Sequence, residues 1–310
     1  MADGDYERGR SREIGAIAAE LKRLAAARLS ARSASGPYQG TLVGSPRRGD
    51  RLVERVVSNA RPSVFVLNGW AASPHAWDLC GFMRPQQVAD LPRLFSYVEQ
   101  LDGEPEKAIE SVDRCILVGW SMGGSSALRL AARWPEKVVG LVLIAATPRM
   151  MEEKESGWKG MSPRRLEALR YGVMMTHGEG FFGVPEGKPN PYCVDCDENL
   201  ARGLKYLLET DVRADLERAF SGDRLSARSA SGPYQKSASG PYQKGVYIFH
   251  SERDGIVRPE NAAYLHKVFP QASVTMVPGT EHALSIFIPE LIDEAVDSCL
   301  RLAAAGQDIA

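Results

Sequence analysis

Two kinds of segment alternate along most of this chain. Short apolar runs rich in β-branched residues predict buried parallel strands. The predicted strands are SVFVLNG (63–69), CILVGW (115–120), VVGLVLIA (138–145), GVYIFH (245–250) and ASVTMV (272–277). Between most of them, apolar positions recur at helical spacing, as in 123–133 and 260–268. This alternation predicts an α/β fold, a mostly parallel sheet with helices on both faces.

The interval 146–222 interrupts the alternation. It contains helical patterns such as RRLEALRYGVMM and ENLARGLKYLLETDVRADLERAF but no strand pattern. We interpret it as a helical cap inserted between two strands. The core then consists of two parts, 61–145 and 245–310.

Two further segments have a different composition. Residues 1–60 begin with an amphipathic helical pattern over 11–28, which predicts a helix that docks on the protein. The sequence RLSARSASGPYQ at 28–39 recurs at 224–235, and SASGPYQ appears again at 237–243. Segments of this composition cannot bury apolar surface, so 223–244 is predicted to be a flexible insertion without chemistry.

Composition and charge exclude several classes of partner. The 310 residues are 44% hydrophobic and carry a formal net charge of −1, so no global charge favours nucleic acid or an anionic membrane. The chain lacks an apolar run of about 18 residues and a secretory signal, which predicts a cytoplasmic location. An odd number of cysteines, five, indicates reduced thiols and not a disulfide framework. Cys193 and Cys196 form one CxxC pair, and a structural zinc site would need a second pair of ligands. We therefore expect neither metal nor cofactor.

The strongest motif for chemistry is Gly119-Trp120-Ser121-Met122-Gly123, which matches G-x-S-x-G. It follows an apolar strand directly and precedes a helix directly, as this motif requires in the α/β-hydrolase fold. A serine on so sharp a turn leaves no room for neighbouring Cβ atoms, which explains the glycines. The motif predicts Ser121 as a nucleophile.

A serine hydroxyl needs a base and an orienting acid, in the chain order Ser, Asp, His. Asp254 lies just past the end of one predicted strand, and His282 lies in the loop after the next strand. Both therefore reach the same sheet edge. Glu252, Glu152 and Glu153 remain alternatives for the acid. The other histidines lack the position of His282: His75, His177, His250 and His266.

A tetrahedral oxyanion needs two fixed N–H donors. The motif and the loop after the first strand assign them to the backbone amides of Met122 and Trp70, and Gly69 permits the turn. The ring of Trp70 can line the same pocket. Four further aromatic residues are candidates for an apolar acyl pocket or for ordinary core: Trp120, Trp158, Phe181 and Phe182.

Five motifs together resemble a known family: N-G-W at 68–70, G-W-S-M-G-G at 119–124, ERDGIV, EHA and TDVRADL. They look like the pimeloyl-[acyl-carrier protein] methyl ester esterases of biotin synthesis, over about 62–295. The resemblance implies a serine carboxylesterase that needs no cofactor. It would cleave the methyl ester of a pimeloyl chain carried on an acyl carrier protein and free the carboxylate. The resemblance also implies a triad of Ser121, Asp254 and His282.

The same family docks an acidic carrier protein on arginines of its cap. The resemblance therefore implies carrier contacts for Arg149, Arg164, Arg165 and Arg170. Charge complementarity is a physical reason for such contacts. Neighbouring glutamates leave a second interpretation open, a solvated helix of mixed charge: Glu152, Glu153, Glu155 and Glu167.

Two other functions remain open, because one fold and one triad serve many chemistries. The first is an α/β-hydrolase that acts on a small free ester, a lactone or a carbon–carbon bond. A preference for a carrier-bound ester would separate it from the carrier-dependent esterase. The second is a hydrolase-fold protein that binds a ligand without catalysis, which covalent labelling of Ser121 by a fluorophosphonate would exclude.

Overall fold

The computed structural model describes residues 61–72, 77, 92–176, 197–220, 245–279 and 281–305, all within the compact unit Ala60–Ala310. Several sequence predictions lie outside the described residues. They concern segments 1–60 and 223–244 with their helix and repeats, and His75, His177, Phe181, Phe182, Cys193 and Cys196.

One six-stranded parallel sheet organises the described residues. Its strands are β1 Ser63–Leu67, β2 Arg93–Phe95, β3 Cys115–Trp120, β4 Val138–Ile144, β5 Val246–Ser251 and β6 Ser273–Val277. They lie in the order β2-β1-β3-β4-β5-β6. The α/β fold and all five predicted strands are confirmed, and β2 is additional. The strand order reverses between β1 and β3, and the carboxyl ends of strands at such a point form ligand sites.

Helices cover both faces of the sheet. They are α1 Tyr97–Leu101, α2 Glu104–Glu110, α3 Met122–Arg133, α4 Pro163–Thr176, α5 Asp197–Glu209, α6 Arg213–Phe220, α7 Glu260–Val268, α8 Leu284–Phe287 and α9 Pro289–Ala305. On one face, Leu117 of β3 joins a buried cluster with Leu128 of α3 and Leu265 of α7. On the other, Ile116 of β3 clusters with Val296 of α9. Successive residues of a strand point to opposite faces, which explains this division.

Helices α4 and α5 lie between β4 and β5, in the interval predicted as a cap. Their apolar faces form a third buried cluster with residues that follow β1 and β3, including Leu169, Leu204, Trp70 and Met122. The cap helices therefore cover the carboxyl edge of the sheet at the reversal point. No helix among the described residues has the length and apolar character needed to cross a membrane.

The second helical pattern of the cap forms two helices instead of one. Residues 210–212 separate α5 from α6, where the Thr210 hydroxyl donates to the Tyr206 carbonyl at 2.6 Å. Asp211 forms an isolated bridge with Arg149 at the other end of the cap segment. Helix α6 then buries Leu216 in the same cluster as α3. It therefore belongs to the layer that covers the sheet.

Candidate active site

Ser121 lies on a sharp turn between β3 and α3. Its backbone has φ of 56° and ψ of −116°, a conformation that residues with a side chain rarely adopt. A Cβ on Gly119 would overlap the Gly123 carbonyl, and one on Gly123 would overlap the Leu67 carbonyl. The glycines of the motif are therefore required by the close approach of α3 to β3 and β1.

The structure brings Ser121, His282 and Asp254 into one hydrogen-bonded chain. The His282 Nε2 atom lies 2.8 Å from the Ser121 Oγ, and His282 Nδ1 lies 2.7 Å from the Asp254 Oδ2. The second carboxylate oxygen of Asp254 accepts hydrogen bonds from the backbone N–H groups of Ile256 at 2.7 Å and Val257 at 3.1 Å. Both Asp254 and His282 are buried. This geometry orients the imidazole between acid and hydroxyl, as proton transfer requires.

The alternative acids lie elsewhere. Glu252 and Glu152 are exposed. The carboxylate of Glu153 pairs with Arg213 at 3.0 Å and with Arg149 at 3.4 Å. Among these candidates, Asp254 alone contacts His282 in the described structure.

Trp120 holds the loop that carries His282. Its indole Nε1 donates to the His282 carbonyl at 2.9 Å, and the two rings lie 6.0 Å apart. The hydroxyl of Ser251 donates to the carbonyl of Glu281 in the same loop. Strands β3 and β5, which lie on either side of β4, thus hold two successive carbonyl groups of this loop.

A pocket of about 330 Å³, counted to its open mouth, lies over Ser121 and His282. Its other lining residues are Gly69, Trp70, Trp120, Met150, Leu169, Leu207 and Ile256. Apart from the serine and the histidine, the described lining contains no ionisable side chain. Such a wall favours an uncharged, apolar ligand group.

Trp120 lines this pocket, as one interpretation of the sequence expects. Trp158 instead packs edge-on against Tyr264, with ring centres 5.2 Å apart. Sequence reasoning missed the contributions of Met150, Leu169, Leu207 and Ile256. Helical periodicity identifies an apolar face such as that of Leu169 and Leu207, but it does not indicate what the face contacts.

The backbone N–H groups of Met122, which follows Ser121, and of Trp70, which lines the same pocket, have no acceptor among the described residues. Met122 is the first residue of α3, whose first N–H groups cannot bond within the helix. Neither Met122 nor Trp70 donates a backbone hydrogen bond to any described residue, and both residues are buried. Buried, unpaired N–H groups are rare because they are costly. Groups of this kind can bind an oxyanion that develops at the serine.

A family model described as the alpha/beta hydrolase family matches residues 64–294. The chain belongs to the alpha/beta hydrolase family. The curated relatives of this hydrolase include pimeloyl-[acyl-carrier protein] methyl ester esterases. That of Nitrosospira multiformis is 25% identical over 74% of this chain and 90% of its own length. That of Nitrosomonas europaea is 26% identical over 76% of this chain and 95% of its own length. The resemblance drawn from the motifs is therefore confirmed.

Solved structures similar to this alpha/beta hydrolase confirm the fold. An esterase from Exiguobacterium antarcticum superposes with a TM-score of 0.54 at 16% identity, over 77% of this chain and 92% of that chain. A bromoperoxidase from Bacillus anthracis superposes with a TM-score of 0.54 at 18% identity, over 78% of this chain and 92% of that chain. At such identities the likeness establishes the architecture alone.

The cap arginines of this hydrolase differ in their surroundings. Arg149 pairs with Asp211 at 2.6 Å, and Arg170 pairs with Asp197 at 2.5 Å. Arg164 and Arg165 are exposed at the start of α4, where Arg165 also donates to the Gly255 carbonyl at 2.8 Å. Arg164 and Arg165 therefore present the more accessible positive charges.

His250 is a second buried histidine near the site, but it contacts neither Ser121 nor His282 through a hydrogen bond in the described structure. Its Nδ1 lies 3.1 Å from the Ser251 carbonyl. Burial lowers the pKa of its imidazole, against the opposing effect of the Asp254 charge. Burial thus favours the neutral imidazole of His250 over its charged form.

Proposed function

We propose that this alpha/beta hydrolase is a serine carboxylesterase. The hydrogen-bonded chain of Ser121, His282 and Asp254 carries the proposal, together with the pocket above it and two backbone N–H groups that have no acceptor among the described residues. In this assignment Ser121 is the nucleophile and His282 the general base. Asp254 orients the imidazole, and the amides of Trp70 and Met122 bind the oxyanion.

In the first step, His282 Nε2 takes the proton of Ser121 as Oγ attacks the ester carbonyl carbon. The carbonyl oxygen becomes an oxyanion that accepts hydrogen bonds from the two amides. The bond from the carbonyl carbon to the alkoxy oxygen then breaks. The alcohol leaves with the proton from His282, and the acyl group stays on Ser121.

In the second step, water replaces the alcohol. His282 takes a proton from water as its oxygen attacks the acyl carbon, and the same amides bind the second oxyanion. The bond to Ser121 Oγ breaks, Oγ regains a proton from His282, and the carboxylic acid is released. These residues complete the reaction with water as the only co-reactant.

The proposed substrate is pimeloyl-[acyl-carrier protein] methyl ester. Two observations support it: the names of the curated relatives and the neutral lining of the pocket. Transfer of an unpaired carboxylate from water to such an apolar wall has a desolvation cost of several kcal/mol, whereas a methyl ester carries no charge to desolvate. The exposed Arg164 and Arg165 are the proposed contacts for the acidic carrier protein. Arg149 and Arg170 contribute less, because carboxylates already pair with them.

The test compares methanol release from the carrier-bound pimeloyl methyl ester with hydrolysis of a free short-chain ester. We expect the carrier-bound ester to be preferred. Ser121→Ala should reduce turnover of both by about 10⁴ to 10⁶. The matched control is Ser125→Ala, which removes a buried hydroxyl in the first turn of α3 that donates to the Thr147 carbonyl at 2.7 Å. That variant should keep its turnover.

Each result separates the candidate functions. If only the free ester reacts, the esterase assignment holds and the carrier-bound substrate is wrong. If neither ester reacts and a fluorophosphonate leaves Ser121 unlabelled, the protein is a non-catalytic binder. Near-normal turnover by Ser121→Ala would refute the nucleophile.

A further inference from the structure

The side chain of Trp70 joins the loop after β1 to the cap. Its indole Nε1 donates to the Leu200 carbonyl of α5 at 3.1 Å. One turn further along α5, a Cβ on Gly203 would overlap the indole Cδ1 and lie 2.8 Å from Nε1. The indole therefore packs directly on the backbone of α5, which only glycine allows at position 203.

The same face of α5 reaches the pocket. Leu200, Gly203 and Leu207 are buried and are spaced three and four residues apart, so they share one stripe of the helix. Leu207 lines the pocket beside Ser121. It lies four residues beyond Gly203, or about 6 Å along the axis at 1.5 Å per residue. One short, rigid segment thus contacts the indole at one end and the acyl site at the other.

The rest of the loop is attached to the sheet edge. The backbone N–H of Asn68 donates to the Phe95 carbonyl at 3.0 Å, and the Asn68 carbonyl accepts from the Gln100 side chain at 2.9 Å. Ala71 has a positive φ of 53°, which marks a tight conformation of the loop. The bond from the indole to the Leu200 carbonyl links the backbone of Trp70 to α5.

We propose that the side chain of Trp70 is a specificity-determining positioning group. An acyl chain long enough to pack on Leu207 fixes α5, and α5 fixes the indole and with it the N–H of residue 70. The proposal rests on the proposed function, because it takes this N–H as an oxyanion donor. Its consequence is that kcat, and not only KM, improves as the acyl chain lengthens.

The test measures kcat and KM separately for the full chain with p-nitrophenyl acetate, butyrate and octanoate. In the wild type, kcat should rise from acetate to octanoate. Trp70→Phe keeps the backbone N–H and an aromatic ring but loses the bond to Leu200. It should lower kcat for octanoate about 10-fold more than kcat for acetate, and so flatten the dependence on chain length.

Two further variants separate this effect from general loosening of the cap. Trp158→Phe is the matched control, because the Trp158 indole also donates to a backbone carbonyl, that of Arg149 at 3.0 Å, but does not line the pocket. It should keep the wild-type dependence on chain length. Gly203→Ala should act like Trp70→Phe, although alanine is the better helix former. The double variant should be no worse than either single one.

Three outcomes would overturn the proposal. In the first, the wild-type kcat does not rise with acyl chain length. In the second, Trp70→Phe keeps that rise, and in the third, Trp158→Phe reduces the rise as much as Trp70→Phe does. None of these affects the esterase assignment. That assignment fails separately, if Ser121→Ala still hydrolyses the esters.

Discussion

At the scale of single residues, Asn68 holds the loop around Trp70 at both ends. Its side-chain oxygen accepts hydrogen bonds from the Gly69 N–H at 3.1 Å and from the Trp77 indole at 2.9 Å. Its side-chain nitrogen donates to the Ala72 carbonyl at 3.2 Å. Trp70 lies between these two attachment points. The fully buried side-chain amide of Asn68 therefore shapes the loop that presents the N–H of Trp70.

We therefore expect Asn68→Ala to lower kcat by roughly 10- to 100-fold with little change in KM. A displaced donor binds the transition state less well but contributes little to ground-state binding. Steady-state kinetics with a free ester measures both constants.

The matched control for this prediction is Asn261→Ala. Asn261 is also buried, accepts from the Thr147 hydroxyl at 2.6 Å and donates to the Arg258 carbonyl at 2.8 Å, outside the pocket lining. It should lose stability and retain kcat. Equal losses of kcat in the two variants would contradict the positioning role of Asn68.

The difference between Ser121 and Asn68 illustrates what a sequence can predict at this scale. Ser121, Asp254 and His282 lie in short motifs next to recognisable strands, so their meeting at one sheet edge follows from chain order. The role of Asn68 depends on Trp77, nine positions along the chain, and its backbone is bound by Gln100, 32 positions away. Local patterns do not encode such contacts.

At the scale of elements, an ion-pair network ties the two ends of the cap segment together. Asp211 accepts from Arg149 at 2.6 Å and from Arg213 at 2.7 Å, and Arg213 also reaches Glu153 at 3.0 Å. Burial by itself would raise the pKa of the Asp211 carboxyl. The hydrogen bonds from Arg213 and Arg149 outweigh it and lower the pKa to about 2.

A lowered pKa makes the contribution of Asp211 dependent on pH. Its folded pKa lies below the ordinary value of 3.8, so its stabilisation is complete above that value and is lost as the pH falls towards 2. We expect Asp211→Asn to lower the free energy of unfolding by up to about 1 kcal/mol at neutral pH, or Tm by roughly 2–4 °C. The difference from wild type should shrink below pH 4 in thermal unfolding followed by circular dichroism.

Asp215→Asn supplies the comparison, since the Asp215 carboxylate pairs with Arg218 at 3.0 Å on the exposed surface of α6. Exposed pairs contribute little, so this variant should have a Tm close to that of wild type at neutral pH. A constant difference between wild type and Asp211→Asn across the whole pH range would contradict the titration of Asp211.

Elements differ in how well the sequence predicts them. The long apolar strands β3 and β4 are fully buried or nearly so, and their composition indicates this directly. Strand β2 is only Arg93-Leu94-Phe95 and starts with an exposed residue, so it carries no strand pattern. The break between α5 and α6 is hidden for another reason: the helical periodicity continues through 210–212, while the contact of Asp211 with Arg149 interrupts the helix.

At the scale of the whole molecule, the candidate site is assembled across the cap insertion. Ser121 and His282 are 161 positions apart, whereas Asp254 and His282 are 28 apart. Ser121 and Trp70 precede the cap, and Asp254 and His282 follow it. The chain leaves the sheet after β4 and returns at β5, which places the cap helices over the edge where Ser121, His282 and Asp254 meet. The insertion therefore adds pocket walls such as Leu169 and Leu207 without breaking the sheet.

The described parts of this assembly lie in the unit Ala60–Ala310. The six strands fall within it, and so do Ser121, Asp254, His282 and the described residues of all three buried clusters. The family model starts at residue 64. We therefore expect a variant without residues 1–59 to unfold cooperatively with a Tm close to that of the full chain. A fluorophosphonate should label it at Ser121 at a similar rate. Cooperative unfolding with lost labelling would contradict this prediction, because a folded sheet would then be insufficient to activate the serine.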